Sequence, residues 1–151
     1  MTITSPPASY ADLEERFAAW AAADPRILAL LVVGSRARRP QPGPWSDLDL
    51  IALVDDRASL LTSLFWLHEI EGVWLTYSSA TGRGDPELYV LFSGARKVDI
   101  VFEEIPGAAA VSLQKSPEGL ISLSAYQFVL QRGWRALYSP GNASSHSPTS
   151  T

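Results

Sequence analysis

Two aspartates two residues apart, at the head of an apolar run, constrain this chain more than any other feature. Asp47-Leu48-Asp49 opens the run Leu48 to Val54, and Gly34-Ser35 closes an earlier run, Ile27 to Val33, with eleven residues between Ser35 and Asp47. Short runs of this kind read as buried strands. Side chains on a strand alternate between faces, so Asp47 and Asp49 project from one face. Their repulsion raises the pKa of at least one carboxyl and costs stability, whereas a divalent cation turns the same pair into ligands. Asp99, in Lys97-Val98-Asp99-Ile100-Val101, is a candidate third ligand on another apolar strand.

A few hard oxygen ligands, open to solvent on one side, suit Mg²⁺, which keeps waters and shares its remaining positions with substrate phosphates. That is the chemistry of phosphoryl or nucleotidyl transfer. Gly34 allows close backbone approach or unusual angles, and Ser35 adds a hydroxyl and an N–H, so the pair is a candidate phosphate cradle. Arg36, Arg38 and Arg39 follow, in a loop where Pro40, Pro42, Pro44 and Gly43 forbid a long helix and leave at most one helical turn over Ser35 to Arg39. This loop is either simply solvated or it brings Arg36 to neutralise a triphosphate.

At 151 residues the chain fits one domain with a substantial core. A net charge of −4 argues against a nucleic-acid partner, which needs a basic surface, and favours small or proteinaceous substrates. The absence of cysteine excludes disulfides and thiolate metal sites, and His68 and His146 are too few for a histidine-rich zinc site. Met1 to Ser9 lacks the marks of a signal peptide and no apolar run reaches the length of a membrane span, so a cytoplasmic protein without a membrane partner is expected.

Residues 1–8 read as a flexible N-terminus, 9–138 as the domain and 139–151, rich in Ser, Pro and Thr, as a disordered tail. Ser9 with Asp12 resembles a capping box, and Leu13, Phe17 and Trp20 at helical spacing predict an amphipathic helix over Tyr10 to Ala23, closed by Asp24-Pro25. Asp55 and Asp56 read as a strand end and the N-cap of a helix over Arg57 to Leu67, with Leu60, Leu61, Leu64 and Phe65 as its buried stripe. His68 reads as structural or exposed. Val73 to Tyr77 and Leu88 to Phe92 are predicted strands, and Ser93-Gly94-Ala95 turns the second into an antiparallel partner, Lys97 to Phe102. Val98, Ile100 and Phe102 then face the core, leaving Asp99 beside Lys97 and Val101 on the other face. An aspartate there is costly unless compensated by Lys97 or by a metal shared with Asp47 and Asp49; the motif favours the metal. Gly107 to Lys115 reads as a short helix or loop, Ala125 to Leu130 as helix or strand, and Trp134 to Tyr138 as a last strand. Trp74, Tyr77 and Tyr89 offer rings that can stack on a base or sugar, but aromatic residues on strands are more often core, and these three read as core.

The order strand, Gly-Ser, loop, Asp-x-Asp, then a later Asp on an apolar strand resembles the DNA polymerase beta-like nucleotidyltransferase superfamily. Gly34-Ser35-Arg36-Ala37 and the stretch from Asp47 to Phe102 are most similar to the streptomycin (aminoglycoside 6-) adenylyltransferase branch. The similarity covers residues 10 to 105 and, more weakly, Phe128 to Tyr138. It implies an α/β (α+β) nucleotidyltransferase fold, a mixed, mainly antiparallel sheet of about five to six strands with helices on one side. It also implies an adenylyltransferase using ATP and two Mg²⁺ ions, with Asp47 and Asp49 holding both metals and Asp99 completing the catalytic one. Gly34 and Ser35 would contact the β and γ phosphates, and Asp99 is a candidate general base.

The resembled enzymes carry a helical domain after the catalytic one that builds much of the acceptor pocket, and here the chain stops soon after its last predicted strand. The acceptor site is therefore expected from a second copy in a homodimer or from a helical partner protein, unless the substrate differs. Three readings follow. The foremost is AMP transfer to a small hydroxylated molecule such as an aminoglycoside. The second is a minimal, antitoxin-like protein adenylyltransferase acting on a helical toxin. The third, a catalytically silent nucleotide-binding module, sits poorly with the retention of Ser35, Asp47, Asp49 and Asp99 together.

Overall fold

Ser9 caps the first helix, α1 (Tyr10–Ala23), its Oγ accepting from the Ala11 N–H at 3.2 Å. Leu13, Phe17 and Ala21 on its inner face are fully buried, while Asp12 and Arg16 pair at 3.2 Å on the outer side. The helix stops at Asp24, whose carboxylate accepts from the Arg26 N–H and guanidinium, the shortest contact being 2.6 Å. This turn launches the first strand. The structure, a computed structural model, describes residues 9–38, 42–43, 46–105, 117–139 and 145–146. The segment Gly107 to Lys115 lies outside them.

Seven strands form one sheet: β1 (Ile27–Val33), β2 (Leu48–Val54), β3 (Val73–Ala80), β4 (Pro86–Phe92), β5 (Arg96–Glu104), β6 (Trp134–Tyr138) and the two-residue β7 (Ser145–His146), in the order β3-β4-β5-β2-β1-β6-β7. β7 adds an outer strand from within the stretch read as a disordered tail. Only β2 and β5 run parallel; the other neighbours are antiparallel, giving the mixed, mainly antiparallel sheet that was expected. One face carries Leu30, Leu50, Val90, Ile100 and Phe102 against α1, and the other carries Leu31, Ile51 and Leu53. The short helices α4 (Pro117–Ser122) and α5 (Gln127–Leu130) cover part of that second face through Leu120 and Leu130. The stretch Ala125 to Leu130, undecided between helix and strand, thus resolves as helix.

The helix expected over Arg57 to Leu67 is two pieces. Asp56 caps α3 (Arg57–Thr62), its Oδ1 accepting from the Ser59 N–H at 3.2 Å, but Ser63 takes extended angles and ends it. A 3₁₀ helix, Phe65–Glu69, follows. The break turns Phe65 out, at 79% exposure, and Trp66 in, where it stacks on Trp20 at 4.4 Å and donates Nε1–H to the Leu60 carbonyl. Packing two indoles outweighs continuing the helix through a serine. His68 on this turn is exposed. No helix among the described residues is long and apolar enough to cross a membrane.

Candidate active site

β1 ends where Gly34, at φ +73°, turns the chain into the single helical turn α2 (Ser35–Arg38). Left-handed angles favour glycine, and space demands it as well: a Cβ here would overlap Asp49 Oδ2. The backbone therefore closes directly over the Asp49 carboxylate.

Sheet register sets the rest. Val33 pairs with Asp49, Asp49 with Asp99, Asp99 with Tyr89, and Tyr89 with Tyr77. Neighbouring strands lie about 4.8 Å apart, so the Asp49 and Asp99 side chains stand next to each other on the same face. The group that approaches Asp99 is Glu87, a further acid, rather than Lys97. Asp99 Oδ1 is buried without a hydrogen-bond partner. Burial first, then the charges of Asp47 and Glu87, pushes Asp49 up to about 6. Burial, a hydrogen bond shared with Glu87 and the neighbouring charges of Glu87, Asp49 and Asp47 push Asp99 up to about 8. Carboxyls so placed hold their protons more tightly than free ones, and a bound cation would favour the ionised forms.

Asp49, Glu87 and Asp99 line a cavity of about 590 Å³, and Arg38, Arg83 and Arg132 line it with them. One wall is the loop between β3 and β4. It is pinned by Tyr126, whose hydroxyl donates to Asp85 Oδ2 at 2.5 Å and lies 2.9 Å from Thr81 Oγ1. Arg57 reaches Asp85 Oδ1 at 2.9 Å from the other side. Burial pushes the Asp85 carboxyl up, but the Tyr126 and Arg57 hydrogen bonds and charge outweigh it and leave it low; burial and Asp85 together push Tyr126 up to about 12.

Among the residues singled out from sequence, Gly34, Asp49 and Asp99 meet at this cavity. Ser35, half-buried, opens α2. Asp47 is exposed and faces an adjoining cavity of about 220 Å³ instead. Arg36 turns away: its guanidinium lies 3.6 Å over the Tyr10 ring and donates to the carbonyls of Ser46, at 3.0 Å, and Gly43, at 3.4 Å. It holds the loop that leads to Asp47, and Arg38 is the arginine of this turn that lines the cavity. Arg39 lies outside the described residues. Among the described residues no three His, Asp or Glu side chains stand close enough together to hold a metal ion in their present rotamers.

Sequence reading missed Glu87. Its signal was countable: outward from the turn at Ser93-Gly94-Ala95, Phe92 pairs with Arg96, Tyr89 with Asp99 and Glu87 with Val101, so Glu87 shares the face of Asp99. Arg83 and Arg132 carried no such signal, since each sits in a loop or turn whose position only the fold decides.

A model of the streptomycin adenylyltransferase family matches residues 9–121, a span that holds Gly34, Asp47, Asp49, Glu87 and Asp99. The chain belongs to that family. Streptomycin adenylyltransferases are nucleotidyltransferases by class, and the matched span runs from α1 to within α4. The chain is also similar to the crystal structure of an aminoglycoside 6-adenyltransferase from Bacillus subtilis, at 18% identity and a TM-score of 0.50. That likeness covers 70% of this chain and 38% of the Bacillus chain, and it concerns the fold. No curated protein matches the sequence.

Proposed function

We propose that this chain is the nucleotidyl-transferring domain of a cytoplasmic adenylyltransferase that moves AMP from ATP to a hydroxyl of a small acceptor of the aminoglycoside type. One observation carries this function: Asp49 and Asp99 stand in direct register in a cavity that is also lined by Glu87 and three arginines. Paired acids suit a divalent cation, and guanidinium groups suit phosphates. The donor set is all hard oxygen, and the unpartnered, buried Asp99 Oδ1 is an acceptor in want of a cation, so the residues fit Mg²⁺. Asp49 and Asp99 would hold Mg²⁺, which when bound neutralises the triphosphate and the charge developing on the attacking and leaving oxygens, while Asp47 faces the adjoining cavity.

The chain's own groups do the rest. Gly34 admits the triphosphate close to the backbone, and Ser35 offers its N–H and hydroxyl to the β and γ phosphates. Arg38 takes the phosphate-neutralising part expected of Arg36, which positions the loop before Asp47. Asp99, with Glu87 against it, accepts the proton of the acceptor hydroxyl. The acceptor oxygen bonds to the α-phosphorus, the bond from that phosphorus to its bridging oxygen breaks, and pyrophosphate leaves with the electron pair.

Incubation with Mg²⁺ and each α-labelled nucleoside triphosphate, against an aminoglycoside panel and a host lysate, tests this. Label from ATP on an aminoglycoside is expected. Label on a single protein band would replace the small acceptor with a protein one. Nucleotide binding by calorimetry without any transfer would make the domain a silent nucleotide-binding module.

A further inference from the structure

The register that joins the two aspartates continues across the sheet. On one rung lie Val33, Asp49, Asp99, Tyr89 and Tyr77, on β1, β2, β5, β4 and β3 in turn. With strands about 4.8 Å apart the rung is a ruler: Gly34 and α2 at one end, carboxylates in the middle, tyrosines at the other. Phosphoryl transfer sets the attacking and leaving oxygens on opposite sides of the phosphorus. If pyrophosphate leaves toward Gly34 and Ser35 with the phosphorus over Asp49 and Asp99, the acceptor must arrive from β4 and β3.

A second cavity is built there. It holds about 220 Å³ and is lined by Asp47, Lys97, Leu75, Tyr77, Tyr89 and Leu91, among others. The Tyr77 and Tyr89 rings lie 6.0 Å apart, and they stay 64% and 40% exposed beside Leu75 at 62%. So much apolar surface on one patch of a hairpin marks a binding surface. The Asp-x-Asp motif straddles the two cavities, Asp49 lining the larger and Asp47 the smaller.

We infer that Tyr77 and Tyr89 form the platform on which the acceptor's ring is laid, with Asp47 facing the ring's polar edge. The inference rests on the adenylyl-transfer function proposed above and assigns its acceptor subsite. A saturated ring offers a face of C–H groups to a tyrosine, and hydroxyl or ammonium groups at its rim meet Asp47 and, toward the carboxylates, Glu87. Asp47 and Lys97 both line the cavity, so a cyclic polyol that carries hydroxyl and ammonium groups finds an acceptor and a donor there, and Glu87 and the carboxylates beyond favour its cationic end. The chain itself thus contributes acceptor contacts that were expected from a second copy or a helical partner.

Steady-state kinetics with Mg²⁺, ATP and streptomycin as the probe acceptor, on wild type, Tyr77→Ala, Tyr89→Ala and Tyr77→Phe, decides it. Both alanine variants are expected to raise KM for streptomycin about tenfold while KM for ATP moves less than about twofold, and Tyr77→Phe, which keeps the ring, should recover most of what Tyr77→Ala loses. Both positions are exposed, so the variants fold. An unchanged streptomycin KM in both alanine variants overturns the platform. So does a rise in the KM for ATP in step with that for streptomycin, or a changed oligomeric state on size exclusion with the acceptor KM intact, which would make this face an interface. Should wild type transfer nothing to streptomycin or to any aminoglycoside, the adenylyl-transfer function fails first and the platform with it.

Discussion

Gly34 and Asp49 act as one steric unit, because the missing Cβ of the first is the space that the carboxylate of the second fills. Gly34→Ala therefore strains a left-handed backbone and pushes the Asp49 side chain aside, the freer of the two to move. The expected result is a stability loss of only about 1 kcal/mol in denaturant titration, with transfer falling by about 100-fold or more. Asp49→Asn separates charge from shape. It should abolish Mg²⁺-dependent transfer yet raise the melting temperature of the metal-free protein, since the cost of burying the Asp49 charge, and then its repulsion from Asp47 and Glu87, disappears. Full activity in Asp49→Asn would show that the carboxylate is no metal ligand. At this scale the spacing of Asp47 and Asp49 was legible because a strand's period is two, but whether they share a cavity was not. Asp47 sits just before the first residue of β2 and opens to the neighbouring space.

α1 holds the helical face of the sheet through an aromatic cluster rather than through aliphatic packing alone. Phe17 lies edge-on to Phe92 at 5.8 Å and to Trp20 at 6.3 Å, and Trp20 stacks on Trp66, which meets Phe102 at 6.2 Å. Phe17→Ala should cost about 3–5 kcal/mol by equilibrium unfolding, because the rigid sheet beneath cannot collapse into the gap. A loss below about 1 kcal/mol would mean that the cluster does not anchor the helix. The limits of α1, β1, β2 and β6 followed from periodicity and from clear stops such as Asp24-Pro25 and Gly34. The helix after β2 did not follow, since its sequence pattern continues smoothly through Ser63 and only the demand of Trp20 for Trp66 turns the backbone there.

Over the whole molecule, ion pairs stitch the helical layer to the turns that edge the sheet. Arg96, 4% exposed, joins Glu71 at 2.9 Å and the Ser9 carbonyl at 3.0 Å, while Asp24 clasps Arg26. The Arg26 guanidinium holds the Asp24 carboxyl below the usual carboxylate range, and the Gly72 N–H and Arg96 do the same for Glu71. Folded values below unfolded ones mean that this stability is present above about pH 4 and is lost as pH falls through the lower folded values. Melting temperature should accordingly drop as pH goes from 5 toward 2, and Asp24→Asn combined with Glu71→Gln should flatten that limb. An unaltered acid limb in the double variant would place the linkage elsewhere. The sequence by itself determined the class of the sheet, its main strands, the family, and the two acids that head β2, because period-two and period-3.6 patterns and a motif's spacing are local properties of the chain. Only the tertiary structure decided that Glu87 closes on Asp99, that Arg38 rather than Arg36 lines the cavity, and that Tyr77 and Tyr89 extend the rung of Asp49 and Asp99, because those depend on which strands become neighbours and in what register. Register is a property of pairs of segments, fixed by the burial of both faces at once, and no single stretch of residues carries it.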